Sequence, residues 1–152
     1  MRPLPLLIAG GGIGGLAAAL AVARTGRAVH VLEREPRFGE IGAGLQLAPN
    51  ASHALARLGV LDAIAPFAVF PRRLVWRDAR SGAQVTALDL GERFRAHYGY
   101  PYVVMHRGDL LDVLLAACRV DERIELAASR DVIDVEDGDS GVRAVCADGT
   151  TY

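Results

Sequence analysis

The run "LPLLIAGGGIGGLAAALAVA", Leu4 to Ala23, carries no charge, yet five of its residues are glycines crowded between Gly10 and Gly15. Apolarity alone admits three readings. Arg2, the apolar run and "AVA" at Ala21–Ala23 are signal-peptide elements. A membrane helix needs about twenty such residues. A buried nucleotide-binding unit is the third. The glycines weaken any helix drawn through the run, because each gives up more backbone freedom than other residues do. The segment that follows decides the matter, because neither targeting reading says anything about residues 26–35.

"LPLLIA" is a short continuous apolar stretch ending at glycines, as a buried parallel strand would. "IGGLAAALAVARTG" is alanine-rich and helix-prone, with Gly26 as its stop. "RAVHVLE" places apolar residues at Ala28, Val29, Val31 and Leu32 and ends in an acid. The order strand, glycine turn, helix, strand, acid is that of a dinucleotide-binding βαβ unit.

Each part has a task. Gly10 turns the chain out of the first strand. Gly12 lets backbone approach a pyrophosphate, and Gly15 lets helix and strand pack closely. With Ile13 and Gly14 they form the candidate phosphate turn, where the helix N-terminus presents free N–H groups and partial positive charge. Ala18 and Ala19 are expected to keep the helix thin against the sheet. Glu33 is the candidate acceptor for ribose hydroxyls, and its carboxylate would repel a 2′-phosphate, which disfavours NADP at this site.

Bulk composition fits this reading. The chain has 152 residues, 51% hydrophobic and 23% charged, which suits a folded domain with a real core. A net charge of -1, with arginines scattered along the chain, gives no footprint of a nucleic-acid binder. Cys118 and Cys146 have no metal-binding spacing, so two free thiols, no metal and a cytoplasmic location are expected.

Up to Glu33 the pattern admits NAD or FAD. Further blocks separate them: the pair Glu33-Arg34, "GEIGAGLQLAPNA" at Gly39–Ala51, and "HRGDLLDVLL" at His106–Leu115. With Gly10, Gly12, Gly15, Ala19 and Gly26, these resemble the FAD-dependent aromatic-ring monooxygenases of the salicylate hydroxylase and 3-hydroxybenzoate 6-hydroxylase type. The blocks run in that family's order over the whole chain. Read physically, "GEIGAGLQ", Gly39 to Gln46, is expected to be a loop in which Gly42 and Gly44 permit positive φ or let bare backbone meet a bulky cofactor. Pro49 suits the first turn of the next helix, Asn50 or Ser52 could cap it, and Gly59 ends it. Arg107 opens an amphipathic helix bearing Leu110, Leu111, Leu114 and Leu115. The resemblance implies that Arg107 contacts FAD, and adds Arg34, Gly44 and Gln46 to the cofactor set. It gives His106 no catalytic role, and no catalytic residue is nominated.

Between these blocks, "LVWRD" and "QVTALDL" around "ARSGA" predict a hairpin. Trp76, Phe94, Tyr98, Tyr100 and Tyr102 either line an aromatic pocket or pack the hairpin on the core. "RIELAA" predicts a third parallel strand, and "DVIDVEDGDSGVRAVCADGTTY" a second hairpin. The expected fold is α/β: a Rossmann-like FAD/NAD(P)-binding parallel sheet with an inserted antiparallel β segment, as part of an incomplete domain. Residues 1–70 and 104–152 are assigned to FAD binding and 71–103 to the start of a substrate-domain insertion. The resemblance implies a longer parent protein that hydroxylates an aromatic acid or phenol with FAD, NADH or NADPH, and O2. Its partners are a small aromatic substrate and O2, with no nucleic acid or membrane, and a homodimer is among the open oligomeric states. An epoxidase, an oxidase, or a non-catalytic FAD- or ADP-binding fragment are the alternatives.

Overall fold

A computed structural model describes residues 4–39, 42–139 and 141–152. The chain begins with strand β1 (Leu6–Ala9), helix α1 (Ile13–Ala23) and strand β2 (Val29–Leu32). The uncharged opening run is thus split among a strand, a turn and a helix of 11 residues. No helix among the described residues is long and apolar enough to cross a membrane. There follow β3 (Gly44–Leu47), α2 (Pro49–Arg57), α3 (Leu61–Ile64), a 3-10 turn at Ala65–Phe67, and β4 (Ala68–Val69). The predicted first hairpin is β5 (Arg73–Arg77) with β6 (Gln84–Asp89), leading into α4 (Glu92–Tyr98). The chain closes with β7 (Val103–His106), α5 (Arg107–Val120), β8 (Ile124–Ala127), and the second hairpin, β9 (Val132–Gly138) with β10 (Gly141–Cys146). It forms two compact units, 42–109 and the remainder.

In the unit built from both ends of the chain, β1, β2 and β8 make a parallel sheet in the order β1-β2-β8. Leu6 is opposite Val29, and Val29 opposite Ile124. The "RIELAA" segment is therefore the third parallel strand. Leu16, Ala19, Leu20 and Ala23 of α1 are buried with Val29, Val31 and Leu32 of β2. Each fully buried leucine of this kind contributes about 1.5–3 kcal/mol by leaving water. Ala18 is exposed, unlike the expectation: Leu16, Ala19, Leu20 and Ala23 form one face, and Ala18 turns away from it. Leu110, Leu111, Leu114, Leu115 and Cys118 of α5 complete this core, and the Cys118 thiol donates to the Leu16 carbonyl at 3.5 Å. β1 is only half-buried, because among the described residues β2 is its one neighbour in the sheet.

In the other unit, β7 lies between β3 and β4 in an antiparallel sheet. This corrects the reading of Gly44 and Gln46 as loop residues. They lie in β3, with Gly44 opposite His106 and Gln46 opposite Val104. Neither Gly42 nor Gly44 has positive φ. Glycine signals a loop locally, but pairing with a distant strand overrides that preference. The capping expectation also fails: Ala48 occupies the N-cap of α2 without a side-chain bond, and Ser52 is buried, donating instead to the Pro101 carbonyl at 2.8 Å. Pro49 does open the helix, and Gly59, at φ +71°, ends it.

Candidate nucleotide-binding site

The chain leaves β1 through Gly10 at φ +108°, a conformation side chains resist. The Gly10 N–H donates to the Leu32 carbonyl at 2.7 Å, fixing the turn to the end of β2. Gly12 occupies the N-cap of α1, and no side chain caps that end. The first helical bond runs from the Leu16 N–H to the Gly12 carbonyl. The N–H groups of Ile13, Gly14 and Gly15 therefore precede the helical ladder and remain available to an anion. At Gly15 a Cβ would lie 1.9 Å from the Gly10 carbonyl oxygen and 3.4 Å from Ile8 Cγ2. That is the close helix–strand approach expected there. A Cβ on Gly14 would meet nothing within 4 Å.

Glu33 follows β2. One of its carboxylate oxygens accepts the Gly11 N–H at 2.5 Å and the other accepts the Glu35 N–H at 2.9 Å. Each oxygen keeps a second lone pair, so a carboxylate clamped in this way can still receive ribose hydroxyls. Gly11 is a residue that the fingerprint spacing passed over. A Cβ there would fall 2.3 Å from the Phe38 ring and 3.1 Å from Glu33 Cβ. Its only sequence signal is its place as the middle glycine of "GGG", Gly10–Gly12. A cavity of about 390 Å³ opens beside this turn, lined by Gly10, Glu33, Arg34, Glu35, Arg130 and Val132 among others. Arg34 is exposed and pairs with Glu35 at 3.3 Å. Gly10, Gly12, Ile13, Gly14, Gly15, Glu33 and Arg34 are thus gathered at the carboxyl ends of β1 and β2, where α/β sheets bind ligands.

The remaining candidates, Gly44, Gln46 and Arg107, are in the other unit. Arg107 is the first residue of α5, and its N–H donates to the Ala43 carbonyl at 2.9 Å. Gln46 accepts a short 2.5 Å bond from the Tyr102 hydroxyl through Oε1, which leaves its amide N–H2 to donate elsewhere. His106 packs over Gly42, where a Cβ would lie 2.3 Å from its Nε2. Its Nδ1 accepts the Gly108 N–H at 3.3 Å. Gly42 thus accommodates the close approach of the His106 ring rather than a positive φ. Glu40 and Ile41 of the same block lie outside the described residues.

The five aromatics do not form one cluster. Phe94 packs on Tyr98 at 4.6 Å, Tyr100 stacks on His53 at 4.7 Å, and Trp76 is half exposed. Cys118 and Cys146 are both free and buried. Burial, reinforced by the nearby Asp121 charge, pushes the Cys118 thiol up to about 11.

A parallel sheet, a glycine turn at φ +108° and an uncapped helix N-terminus beside a clamped acid define a Rossmann-type dinucleotide-binding unit. In agreement, the NAD(P)-binding Rossmann-like domain family matches residues 8–45. 3-Hydroxybenzoate 6-hydroxylase 1 of Aquipseudomonas alcaligenes is 43% identical over 145 residues, which cover 95% of this chain and 37% of that protein. 6-Hydroxynicotinate 3-monooxygenase of Bordetella bronchiseptica is 33% identical over 145 residues, with the same coverage of 95% and 37%. Among solved structures, HpxO of Klebsiella pneumoniae complexed with FAD and uric acid superposes with a TM-score of 0.84 at 28% identity, over 98% of this chain and 36% of that one. The chain spans little more than a third of the length of these relatives. These likenesses support the chain as the N-terminal portion of an FAD-dependent aromatic-ring monooxygenase.

Proposed function

We propose that the chain supplies FAD-binding residues to a monooxygenase that hydroxylates an aromatic acid or phenol with NADH or NADPH and O2. The observation that carries the cofactor reading is the Glu33 carboxylate held between the Gly11 and Glu35 N–H groups beside a bare helix N-terminus. This arrangement fits an adenosine diphosphate moiety: N–H groups for the pyrophosphate and an acid for a free ribose 2′-hydroxyl. FAD, rather than NAD, is favoured by the 43% identity to 3-hydroxybenzoate 6-hydroxylase 1 and by the likeness to the FAD complex of HpxO.

In this reading Gly10, Gly12, Ile13, Gly14 and Gly15 hold the phosphates, while Glu33 and Arg34 hold the ribose side. Gly44, Gln46 and Arg107 serve the rest of the cofactor: Gln46 through the amide N–H2 that Tyr102 leaves available, and Arg107 through its guanidinium. Residues 1–70 and 104–152 form the FAD-binding part, and 71–103 begin a substrate-covering sheet. The apolar side chains that β5 and β6 leave exposed, Val75, Trp76, Val85 and Leu88, support that division. Bound FAD supplies the chemistry, accepting electrons from NAD(P)H and transferring one oxygen atom of O2 to the ring. This chain's residues bind and orient it, and none is assigned proton transfer. A second reading, a nucleotide-binding piece without turnover of its own, is favoured by the limited span of the relatives.

The test takes the 152-residue chain and the intact gene product in parallel. The chain should bind ADP and FAD without oxidising NAD(P)H. The intact product should show flavin absorbance and 3-hydroxybenzoate-stimulated NAD(P)H oxidation with a hydroxylated product. An intact product that holds no flavin after FAD addition would sink the proposal.

A further inference from the structure

Ser129 is the one non-glycine with positive φ among the described residues, at +54°. A left-handed residue with a Cβ is strained, and such strain persists only where its surroundings impose it. Here the surroundings are specific. The Ser129 N–H donates to the Glu35 carbonyl at 3.0 Å, and the next N–H, that of Arg130, donates to the Glu33 carbonyl at 2.7 Å. The turn after β8 is thus stitched to the two residues flanking Arg34, one of which is the clamped acid.

Arg130 secures the other side of the turn. Its Nη1 donates to the Ser129 carbonyl at 2.9 Å and pairs with Asp148 at 3.1 Å, while its Nε donates to the Tyr152 hydroxyl at 2.8 Å. Asp148 and Tyr152 belong to the segment following β10. That segment is itself fixed: Tyr152 exchanges two backbone bonds with Ala144, and the Ala147 N–H donates to the Asp131 carbonyl at 2.8 Å. One guanidinium therefore ties the strained turn to a rigid hairpin. Both Arg130 and Asp131 line the cavity that Glu33 lines.

We infer that Arg130 is a positioning residue for the adenosine-binding cavity, holding the left-handed turn at Ser129 so that the Glu33–Glu35 backbone and its clamped carboxylate stay in place. The inference rests on the nucleotide-binding reading above. It predicts a rescue that a general loss of stability would not show. Without Arg130, Ser129 can relax out of the left-handed region, but glycine occupies that region without strain.

The experiment titrates the 152-residue chain with ADP by calorimetry, with FMN as a probe lacking adenosine. Arg130→Ala should weaken ADP binding about tenfold, and leave any FMN binding unchanged, because left-handed strain at one residue is of that order. Adding Ser129→Gly to Arg130→Ala should restore most of the ADP affinity. Ser129 is exposed, so Ser129→Gly alone should be nearly silent. If Arg130→Ala fails to fold, Tyr152→Phe removes a single acceptor and should give a smaller loss that Ser129→Gly again restores. Wild-type ADP affinity in Arg130→Ala overturns the inference. So does a loss that Ser129→Gly does not restore, which would place the guanidinium on the ligand itself or in general stability. A wild-type chain that does not bind ADP overturns the nucleotide-binding reading, and this inference with it.

Discussion

Gly14 and Gly15 are neighbours in the first turn of α1, and the structure assigns them opposite responses to the same change. In Gly15→Ala the new methyl meets the Gly10 carbonyl oxygen at 1.9 Å, whereas ordinary contact begins at 3.4 Å. Gly10 cannot yield easily, since its N–H is bonded to Leu32 and its φ of +108° already suits only glycine. The helix end must therefore retreat by about 1.5 Å, loosening Leu16 and Ala19 in the core. Overpacking of this kind costs about 1–3 kcal/mol, and more where backbone resists. The gain in helix propensity from glycine to alanine offsets about 1 kcal/mol. A net loss of about 2 kcal/mol is expected, out of a domain stability of about 5–15 kcal/mol. Gly14→Ala meets nothing within 4 Å and should keep the propensity gain, stabilising the ligand-free chain by about 0.5–1 kcal/mol. Urea denaturation separates the two. With a slope of about 2 kcal/mol per molar, the midpoint falls by about 1 M for Gly15→Ala and rises slightly for Gly14→Ala. ADP titration should show the larger loss in Gly15→Ala, because its displaced helix end carries the phosphate-facing N–H groups. Equal midpoints for the two variants would refute the packing argument.

Glu33→Gln keeps an acceptor for the Gly11 N–H but removes the charge. ADP affinity should fall about tenfold, while 2′-phosphorylated adenosine diphosphate gains relative to ADP; an unchanged ratio in competition titrations counts against the ribose role. Gly42→Ala should push the His106 ring aside and release its bond with the Gly108 N–H, costing about 1 kcal/mol in urea denaturation, with His106→Ala removing the penalty. Cys118 should resist thiol reagents at neutral pH at a rate set by unfolding, since its thiol is buried and stays protonated. The sign of its pH effect follows from a raised folded-state value: its contribution is present below the ordinary 9.0 and lost as pH rises through about 11. Cys118→Ser should flatten that alkaline limb, and an unchanged limb would assign it elsewhere.

What the sequence discloses follows the distance over which each feature is determined. Gly10, Gly15 and Gly26 announce themselves because a turn, a close approach and a helix stop act within a few residues. Glu33 is legible as an acid ending a strand beside a glycine turn, but its bond to Gly11 is not, because that partner lies outside the fingerprint and is chosen by how β1 and β2 align. Gly44 and Gln46 read as loop because glycine suggests bare backbone, whereas β7, some sixty residues later, draws them into a sheet. Ser52 carries the chemistry of a helix cap, yet burial beside the Pro101 carbonyl gives its hydroxyl a different acceptor. The strained turn at Ser129 has no sequence signal at all: "AASRD" contains no glycine or asparagine to mark a left-handed residue. Its conformation is imposed by carbonyls on Glu33 and Glu35 and by a guanidinium anchored at Tyr152. In the proposed reading the recognisable motif therefore supplies the groups that would face a nucleotide, and unmarked residues hold them in place.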